Sequence, residues 1–216
     1  MLDDDMSGLE ALSDSELLAR WRAGDRAAGA TLVERHLESI VRFFMSKVGS
    51  DSDDLVQATF LGLLDGALDR LRAEGGFRSF LFGIARNKLL EHLRNTIRDR
   101  ERFDPQHATL AGLDPSASAA IDAHGQNKLL LAALRRLPLD TQLMLELHYW
   151  ENMRVREIAV ALDMPPSTIK TRMRRGRARL DEEMRALARS REALETTLRG
   201  LDGWAQELRR ELDGEG

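Results

Sequence analysis

The chain contains no cysteine among its 216 residues. This absence excludes disulfide bonds, thiolate zinc sites and cysteine nucleophiles, and it suits a reducing compartment. No uninterrupted apolar stretch approaches the roughly 18 residues that a membrane helix needs. The first residues, MLDDDMSG, are acidic where a secretory signal peptide would be basic. We therefore expect a cytoplasmic protein without membrane insertion.

The sequence also has no recognisable catalytic arrangement. Its five histidines are scattered without metal-ligand spacing, and it has no glycine-rich loop for a phosphate. Glu146 and His148 are two residues apart and so do not share a helix face. A DNA recombinase with a helix-turn-helix tail would need a catalytic domain with strands, whereas residues 1–102 have helical patterns throughout. The sequence predicts a protein that is not an enzyme, with no metal, cofactor or small-molecule substrate.

The hydrophobic content of 43% is enough for genuine cores, and apolar residues recur at helical spacing with no strand-like alternation. The predicted fold is all-α: two small helical domains joined by a flexible linker, the second containing a helix-turn-helix. The linker is the stretch where the periodicity stops and proline, glycine and small polar residues collect. The predicted segments are an acidic leader at 1–12, domains at 13–102 and 126–185, a linker at 103–125 and a helical extension at 186–216.

Four helices are predicted in the first domain. Ser13 and Glu16 form a capping box at the first, and Gly49 ends the second, which covers roughly 26–47. The third begins near Asp53 and the fourth covers about 78–102. The side chains predicted to be buried are Val33, Leu37, Ile40, Val41, Phe44 and Val48 in the second helix, Val56, Phe60, Leu63, Leu64, Ala67 and Leu71 in the third, and Phe82, Ala85, Leu89 and Leu93 in the fourth.

The stretch 154–180 has the spacing of a helix-turn-helix. Val155, Ile158, Ala159 and Leu162 form one apolar helix face. Asp163 then marks the turn, because aspartate tolerates the left-handed conformation, although glycine would adopt it at lower cost. Pro165 and Pro166 prevent the first helix from continuing, and Ser167 or Thr168 is expected to cap the second.

The second helix of this motif is strongly basic, with no acidic residue between positions 170 and 179. A helix face that is merely solvated usually alternates charge signs, so we favour nucleic-acid binding over that simpler interpretation. Side chains near the helix start and turned away from its apolar face are expected at base edges or adjacent phosphates: Lys170, Thr171, Arg174 and Arg175. The others are expected at the DNA backbone: Ser167, Thr168, Arg172, Arg177 and Arg179.

The net charge of −4 conflicts at first sight with DNA binding. Acidic residues gather at 3–5, 51–54 and the tail, whereas basic residues gather at 86–102 and 170–179. For 86–102 alone, complementation of the helix dipole is a simpler explanation that stays open. Such a chain should bind DNA weakly by itself, so a larger partner that delivers it to DNA is expected.

Several motifs resemble one known family. Residues 54–60, DLVQATF, resemble a DLVQETF stretch, and residues 77–87, FRSFLFGIARN, resemble FRxWLxxIARN. Three more motifs follow along the chain: LP at 137–138, EIA at 157–159, and TIKTRM at 168–173 with Arg175 and Arg177. They resemble the patterns LP, EIA and TVKSRLxRAR of the same family. Over about residues 14–185 the chain resembles the extracytoplasmic-function (ECF) sigma factors, the compact branch of the sigma-70 family.

The resemblance implies a sigma factor that binds bacterial core RNA polymerase and promoter DNA, with an anti-sigma factor as a further partner. The helix at Asp53 would dock on the polymerase, and the fourth helix would hold the minus-ten element. The recognition helix would read the minus-thirty-five element. The implied polymerase-binding residues are Asp53, Asp54, Gln57 and Phe60, and the implied minus-ten residues are Arg86, Asn87, Lys88, Arg94, Arg98 and Arg100.

The sequence departs from the family pattern in three places. Ala58 stands where glutamate is usual, the tryptophan at the end of that helix is missing, and Asp163 replaces the turn glycine. An operator-binding helix-turn-helix regulator that works without polymerase remains the alternative function. The role of the extension at 186–216, with leucines seven residues apart, stays open between a helical cap and a regulatory tail.

Overall fold

The computed structural model describes residues 8–64, 76–96, 103–113 and 128–188, without the side chains of residues 50 and 128. Within these residues the chain forms helices and turns and has no strand. We number the α-helices in chain order: α1 Asp14–Arg22, α2 Arg26–Val48, α3 Ser52–Leu64, α4 Gly76–Thr96, α5 Leu110–Leu113, α6 Lys128–Arg135, α7 Leu139–Tyr149, α8 Val155–Leu162 and α9 Pro166–Leu187.

Local signals set the ends of the first two helices. The Ser13 and Glu16 side chains form the predicted capping box at α1. The Asp25 carboxylate accepts hydrogen bonds from the N–H groups of Ala27 and Ala28, and so begins α2. Gly49 ends α2 with φ of 56°, a conformation that favours glycine, and a 3-10 turn at Gly49–Asp51 leads into α3.

Helices α1 to α4 form the first unit and bury most of the predicted stripes, including all four positions predicted in α4. Leu37 and Leu64 are exceptions, with 40% and 56% of their surface exposed. Leu37 is displaced because the neighbouring His36 takes the inward position, where its Nε2 lies 2.7 Å from the Asp14 carboxylate. The prediction was therefore wrong at both leucines. The predicted core positions at 67 and 71 lie outside the described residues.

Helices α6 to α9 form the second unit, in which α6, α7 and α9 surround a core of their own that includes Leu134, Leu145, Leu180 and Met184. Helix α9 crosses α7 closely at Gly176, where a side chain would collide with Thr141. The second unit therefore depends on the carboxyl-terminal half of the basic helix as well as on α6 and α7.

The two units pack against each other along α4 and α8. A single apolar cluster continues from Phe82 and Leu89 of α4 to Ile158 and Leu162 of α8. Part of the predicted linker, residues 103–113, joins this junction: the Leu139 N–H donates to the Ala108 carbonyl at 2.9 Å. Residues 114–125 and most of the extension, 189–216, lie outside the described residues. The junction brings together segments that are far apart in sequence.

Candidate nucleic-acid and polymerase interfaces

The predicted helix-turn-helix consists of α8, a short turn and α9. The Glu157 carboxylate accepts a hydrogen bond of 2.6 Å from the Arg154 N–H and so fixes the start of α8. Asp163 ends α8 with φ 53° and ψ 51°, the left-handed conformation predicted for it. Buried Ile158, Leu162 and Ile169 hold the two helices together. The turn and its first helix are confirmed.

The predicted cap of the second helix is wrong. Helix α9 begins at Pro166 with Pro165 as N-cap, and neither Ser167 nor Thr168 caps it. Proline suits the first helical position because its φ is already helical and it has no N–H group to satisfy there. Ser167 and Thr168 therefore lie in the first turn, as its second and third residues, and the helix begins two residues before the predicted start near Thr168.

The amino-terminal half of α9 presents a basic outer face. Thr168 and Arg172 are half-buried, while the other predicted contacts are exposed: Ser167, Lys170, Thr171, Arg174, Arg175, Arg177 and Arg179. Ile169 is buried and Met173 is partly buried against the core, as predicted. Arg177 donates to the Tyr149 hydroxyl at 3.1 Å. A helix with one apolar face and exposed arginines at its start can enter a DNA groove.

Arg172 is bound by side chains of its own chain. One of its N–H groups donates to Gln106 Oε1 at 3.0 Å, and its guanidinium lies 3.9 Å from Asp140 Oδ2. The Met164 sulfur is also 3.9 Å away. Of the predicted minus-thirty-five residues, this arginine makes the most contacts with its own chain.

The predicted minus-ten residues lie on α4 beside the junction. Asn87 and Arg94 are exposed, and the Arg94 guanidinium is 6.0 Å from the centre of the Phe103 ring. Lys88 lies 3.5 Å from the Glu91 carboxylate. Arg86 donates to Asp140 Oδ1 at 3.1 Å. Arg98 and Arg100 lie outside the described residues.

A cleft of about 630 Å³ lies beside the junction, between α4 and the turn of the helix-turn-helix. Its α4 wall carries Arg86, Asn87 and Arg94, and its opposite wall includes the turn residues Asp163 and Met164. Asp140 lines the same cleft although only 2% of its surface is exposed. Sequence reasoning missed Asp140, because an acidic residue after Leu137-Pro138 carries no signal of its distant partners.

The predicted polymerase-binding residues lie on α3. Asp53, Asp54 and Gln57 are exposed, whereas Phe60 is partly buried and packs on the core. Leu61 continues the exposed row with 52% of its surface accessible, and Leu64 follows it. The spacing of 54, 57, 61 and 64 is helical and could have identified both leucines. We call this row the α3 face: Asp53, Asp54, Gln57, Leu61 and Leu64.

Both units match known family models. Residues 32–100 match the model described as Sigma-70 region 2, and residues 127–180 match that of Sigma-70, region 4. The chain belongs to the sigma-70 family. We therefore call α1–α4 the region-2 unit and α6–α9 the region-4 unit of this sigma factor.

Individual relatives place this sigma factor in the ECF branch. It is 30% identical over 174 residues to the RNA polymerase sigma factor NccH of Alcaligenes xylosoxydans xylosoxydans, covering 77% of this chain and 92% of that protein. It is 26% identical to the ECF RNA polymerase sigma-E factor of Escherichia coli (strain K12), covering 83% of this chain and 98% of the relative. The resemblance inferred from the motifs is thus confirmed.

A solved structure has a similar fold. It contains the sigma factor RpoE of Bartonella quintana in complex with the anti-sigma factor NepR. The TM-score is 0.52 and the identity 22%, with 71% of this chain and 94% of that chain covered. At this identity the likeness concerns the fold, and it agrees with two helical domains, the second of which contains a helix-turn-helix.

Buried charges of opposite sign also meet where the two units of the sigma factor join. Lys47 of α2 pairs with Glu146 of α7, both almost fully buried. Burial lowers the pKa of Lys47, and the Glu146 carboxylate opposes that effect only in part. Glu151 accepts a hydrogen bond from Arg78 at 2.9 Å and lies 3.5 Å from Arg42. The junction is therefore partly ionic.

Among the described residues, no cluster of three or more histidine or acidic side chains has the arrangement of a metal site. No helix in the same part of the chain is long and apolar enough to cross a membrane.

Proposed function

We propose that this sigma factor contacts core RNA polymerase through the α3 face and reads promoter DNA with two separate elements, α4 and α9. The observation that carries the proposal is that one chain combines both family matches with a basic helix in each unit. Promoter recognition at two positions needs two such elements, because each unit is too small to span both.

In the region-4 unit, the exposed start of α9 would enter the major groove at the minus-thirty-five element. Lys170, Thr171, Arg174 and Arg175 project from the outer face and would contact base edges or nearby phosphates. The remaining polar residues of the helix would fix its position on the DNA backbone. Arg172 could join them only after leaving Gln106 and Asp140.

In the region-2 unit, α4 and the basic segment after it would hold the unpaired strand of the minus-ten element. A single strand needs cations along its backbone and a place for unstacked bases. Arg86, Asn87 and Arg94 already line one cleft and could supply both. We assign Lys88, Arg98 and Arg100 to the backbone of the same strand.

The α3 face supplies the contact with polymerase. It combines two carboxylates at the start of the helix with the exposed Leu61 and Leu64 at its end. Mixed acidic and apolar surfaces of this kind suit a partner with a basic, partly apolar surface. Phe60 supports the helix from inside the region-2 unit and, in this proposal, has no direct contact with the partner.

We assign no catalytic step and no cofactor to the chain, since its role is to position polymerase. The proposed place of action is the cytoplasm, where promoter DNA and polymerase meet, and an anti-sigma factor is a further proposed partner. The domain boundaries proposed from the sequence, 13–102 and 126–185, enclose both matched regions, 32–100 and 127–180. An operator-binding regulator is disfavoured because it would have no use for a region-2 unit.

Run-off transcription tests the proposal directly. Promoter DNA is selected from a random pool with bacterial core polymerase and this protein, and transcription is then compared with and without it. We expect transcripts only in its presence, and their loss in the double variant Arg174→Gln/Arg175→Gln. Arg185→Gln, an exposed change in the last turn of α9, is the control. Tight binding to duplex DNA alone, without any effect on polymerase, would instead establish the operator-binding regulator.

A further inference from the structure

A groove with a cationic rim lies between the starts of the two helices of the helix-turn-helix. Its volume is about 610 Å³, and it is lined by Arg154, Val155, Arg156, Pro166 and Lys170. The three cations are exposed and Val155 is half-buried, so the groove combines positive charge with an apolar base. We call this surface the α8/α9 groove.

The cations of this groove have no acidic partner in the described part of the chain. None of the ion pairs there involves Arg154, Arg156 or Lys170. The Glu157 carboxylate, close in sequence, accepts a hydrogen bond of 2.6 Å from the Arg154 N–H instead. Val160, one turn beyond Arg156 on α8, adds an apolar side chain with 47% of its surface exposed. Cations beside exposed apolar surface suit a ligand that is both acidic and apolar.

The end of the same chain has this composition. Residues 201–216 contain five acidic and two basic residues, whereas residues 189–200 contain two acidic and three basic residues. Large apolar side chains recur within the acidic stretch: Leu201, Trp204, Leu208 and Leu212. We call residues 201–216 the acidic tail. Its carboxylates complement the rim of the α8/α9 groove, and its apolar side chains complement the base.

The chain that follows α9 is long enough to bring the acidic tail to the groove. Helix α9 ends at Leu187, and Lys170 lies 17 residues earlier, or about 26 Å along the helix axis. The 19 residues from 188 to 206 can span up to roughly 60 Å. Because the tail belongs to the same chain, its effective concentration at the groove can reach about the millimolar range. A weak contact is therefore enough to fill the groove.

We propose that the acidic tail docks in the α8/α9 groove and covers Lys170 while the sigma factor is free of DNA. The proposal rests on the proposed function for its assignment of Lys170 to the minus-thirty-five element. A carboxylate and a phosphate oxygen both pair with cationic side chains, so the tail and promoter DNA compete for the same groups. Docking thereby lowers the affinity of the region-4 unit for DNA, and binding to DNA releases the tail.

A second acidic segment, the leader, fits the groove less well. It carries Asp3, Asp4 and Asp5, but it precedes α1, which packs in the region-2 unit. The acidic tail instead follows α9, whose first turn forms one wall of the groove. The leader is therefore an alternative that the experiments must exclude.

Paramagnetic relaxation tests the docking without DNA. Because the chain has no cysteine, Gly214→Cys provides a unique site for a nitroxide label in the full-length protein. We expect the label to broaden the methyl NMR signals of Val155 and Val160, and to leave those of Val33 in the region-2 unit unchanged. Adding Glu211→Gln, Asp213→Asn and Glu215→Gln to the labelled protein should remove the broadening. Unbroadened signals of Val155 and Val160 in the labelled parent would overturn the proposal.

A binding measurement tests the competition with DNA. The probe is a fluorescent duplex of random sequence, used at low salt without polymerase. The tail variant Glu211→Gln/Asp213→Asn/Glu215→Gln is compared with the control Glu10→Gln/Glu34→Gln/Glu182→Gln, which removes the same charge at exposed positions. We expect the tail variant to bind roughly 5-fold more tightly than the control or better, at the lower end of the usual coupling between linked equilibria.

Two results of this comparison would contradict the docking. One is equal affinity of the tail variant and the control, which would make any gain a matter of net charge. The other is a gain that appears in Asp3→Asn/Asp4→Asn/Asp5→Asn and not in the tail variant, which would identify the leader as the occupant. Circular dichroism establishes that all variants keep the helix content of the parent.

Failure of the docking and failure of the proposed function can be told apart. If run-off transcription fails but the label at position 214 still broadens Val155 and Val160, the proposed function is wrong and the docking stands. If transcription succeeds but neither broadening nor affinity depends on the acids of the tail, the sigma factor function stands and the docking does not.

Discussion

Gly176 of α9 lies directly against the Thr141 side chain of α7, with no room for a methyl group between the two helices. Glycine inside a helix usually costs about 0.5–1 kcal/mol relative to alanine, so this position keeps it for close packing. The contact fixes the angle between the basic helix α9 and α7. The orientation of the proposed DNA-reading face therefore depends on a residue outside that face.

The first prediction is that Gly176→Ala destabilises the protein by about 1–3 kcal/mol, because the added methyl group overpacks the contact with Thr141 and Leu145. Urea denaturation measures the change. Gly83→Ala in α4 is the matched control, since its new methyl group would meet the Ala161 carbonyl oxygen at an ordinary 3.5 Å. We expect the control to be neutral or more stable. Equal effects of both substitutions would contradict the packing argument.

Asp163 supports a second prediction. It occupies the left-handed conformation, which costs a residue with a side chain roughly 1–2 kcal/mol and costs glycine little. Asp163→Gly should therefore raise the free energy of unfolding by up to about 1 kcal/mol, and Asp163→Val should lower it. Thermal denaturation of the three proteins checks the order. A glycine variant less stable than the parent would show that the aspartate side chain itself stabilises the turn.

The third prediction concerns the buried pair formed by Lys47 and Glu146. Lys47→Met alone leaves a buried carboxylate without its cation and should cost about 3–5 kcal/mol. Lys47→Met combined with Glu146→Leu should recover most of that loss, because an apolar pair replaces the ionic one. Denaturant titration measures the free energy of unfolding of Lys47→Met, of Glu146→Leu and of the double variant, and the three values form a double-mutant cycle.

The fourth prediction is a pH dependence at Asp14. Burial raises the pKa of this carboxyl, but hydrogen bonds and charge from His36 and Arg35 outweigh that effect, so the pKa lies below its ordinary value of 3.8. A lowered pKa in the folded state stabilises the fold above pH 3.8, and this contribution is lost as the pH falls through the folded-state value.

Asp14→Asn should therefore lose about 1–2 kcal/mol of stability near neutral pH, and the difference from the parent should shrink in acid. Urea denaturation at a series of pH values measures it. Asp181→Asn is a control, since that carboxylate forms a partly exposed pair with Arg185 one turn away on α9, and such pairs contribute little stability. A difference that stays constant down to the lowest pH would exclude the carboxylate as its source.

The fifth prediction concerns readout by α9. Arg175→Ala should lower affinity for the selected promoter by about 1–3 kcal/mol if the arginine reads a guanine. Fluorescence anisotropy with promoter and scrambled duplexes, in the presence of polymerase, measures the loss. An equal loss on both duplexes would identify a phosphate contact instead. Arg185→Ala, further along the same helix, is expected to leave both affinities unchanged.

Local patterns were enough to predict much of the fold. The capping box at Ser13, the glycine stop at 49 and the left-handed turn at Asp163 depend on neighbours within a few residues, and all three are confirmed. The errors at Leu37 and Leu64 have a different origin. An apolar stripe on a helix is wide enough that the sequence pattern leaves open which of two adjacent residues points into the core. In α2 the contact with Asp14 holds His36 inward, and Leu37 is left exposed.

By itself the sequence determined that this protein is helical, that it has two basic helices and a helix-turn-helix, and that it belongs with the ECF sigma factors. These properties follow from periodicity, turn chemistry and motif order, which neighbouring residues encode. Only the tertiary structure decided that Asp140 meets Arg86 and Arg172, and that Lys47 pairs with Glu146. Such contacts join residues that packing brings together from distant parts of the chain, and no local pattern specifies them.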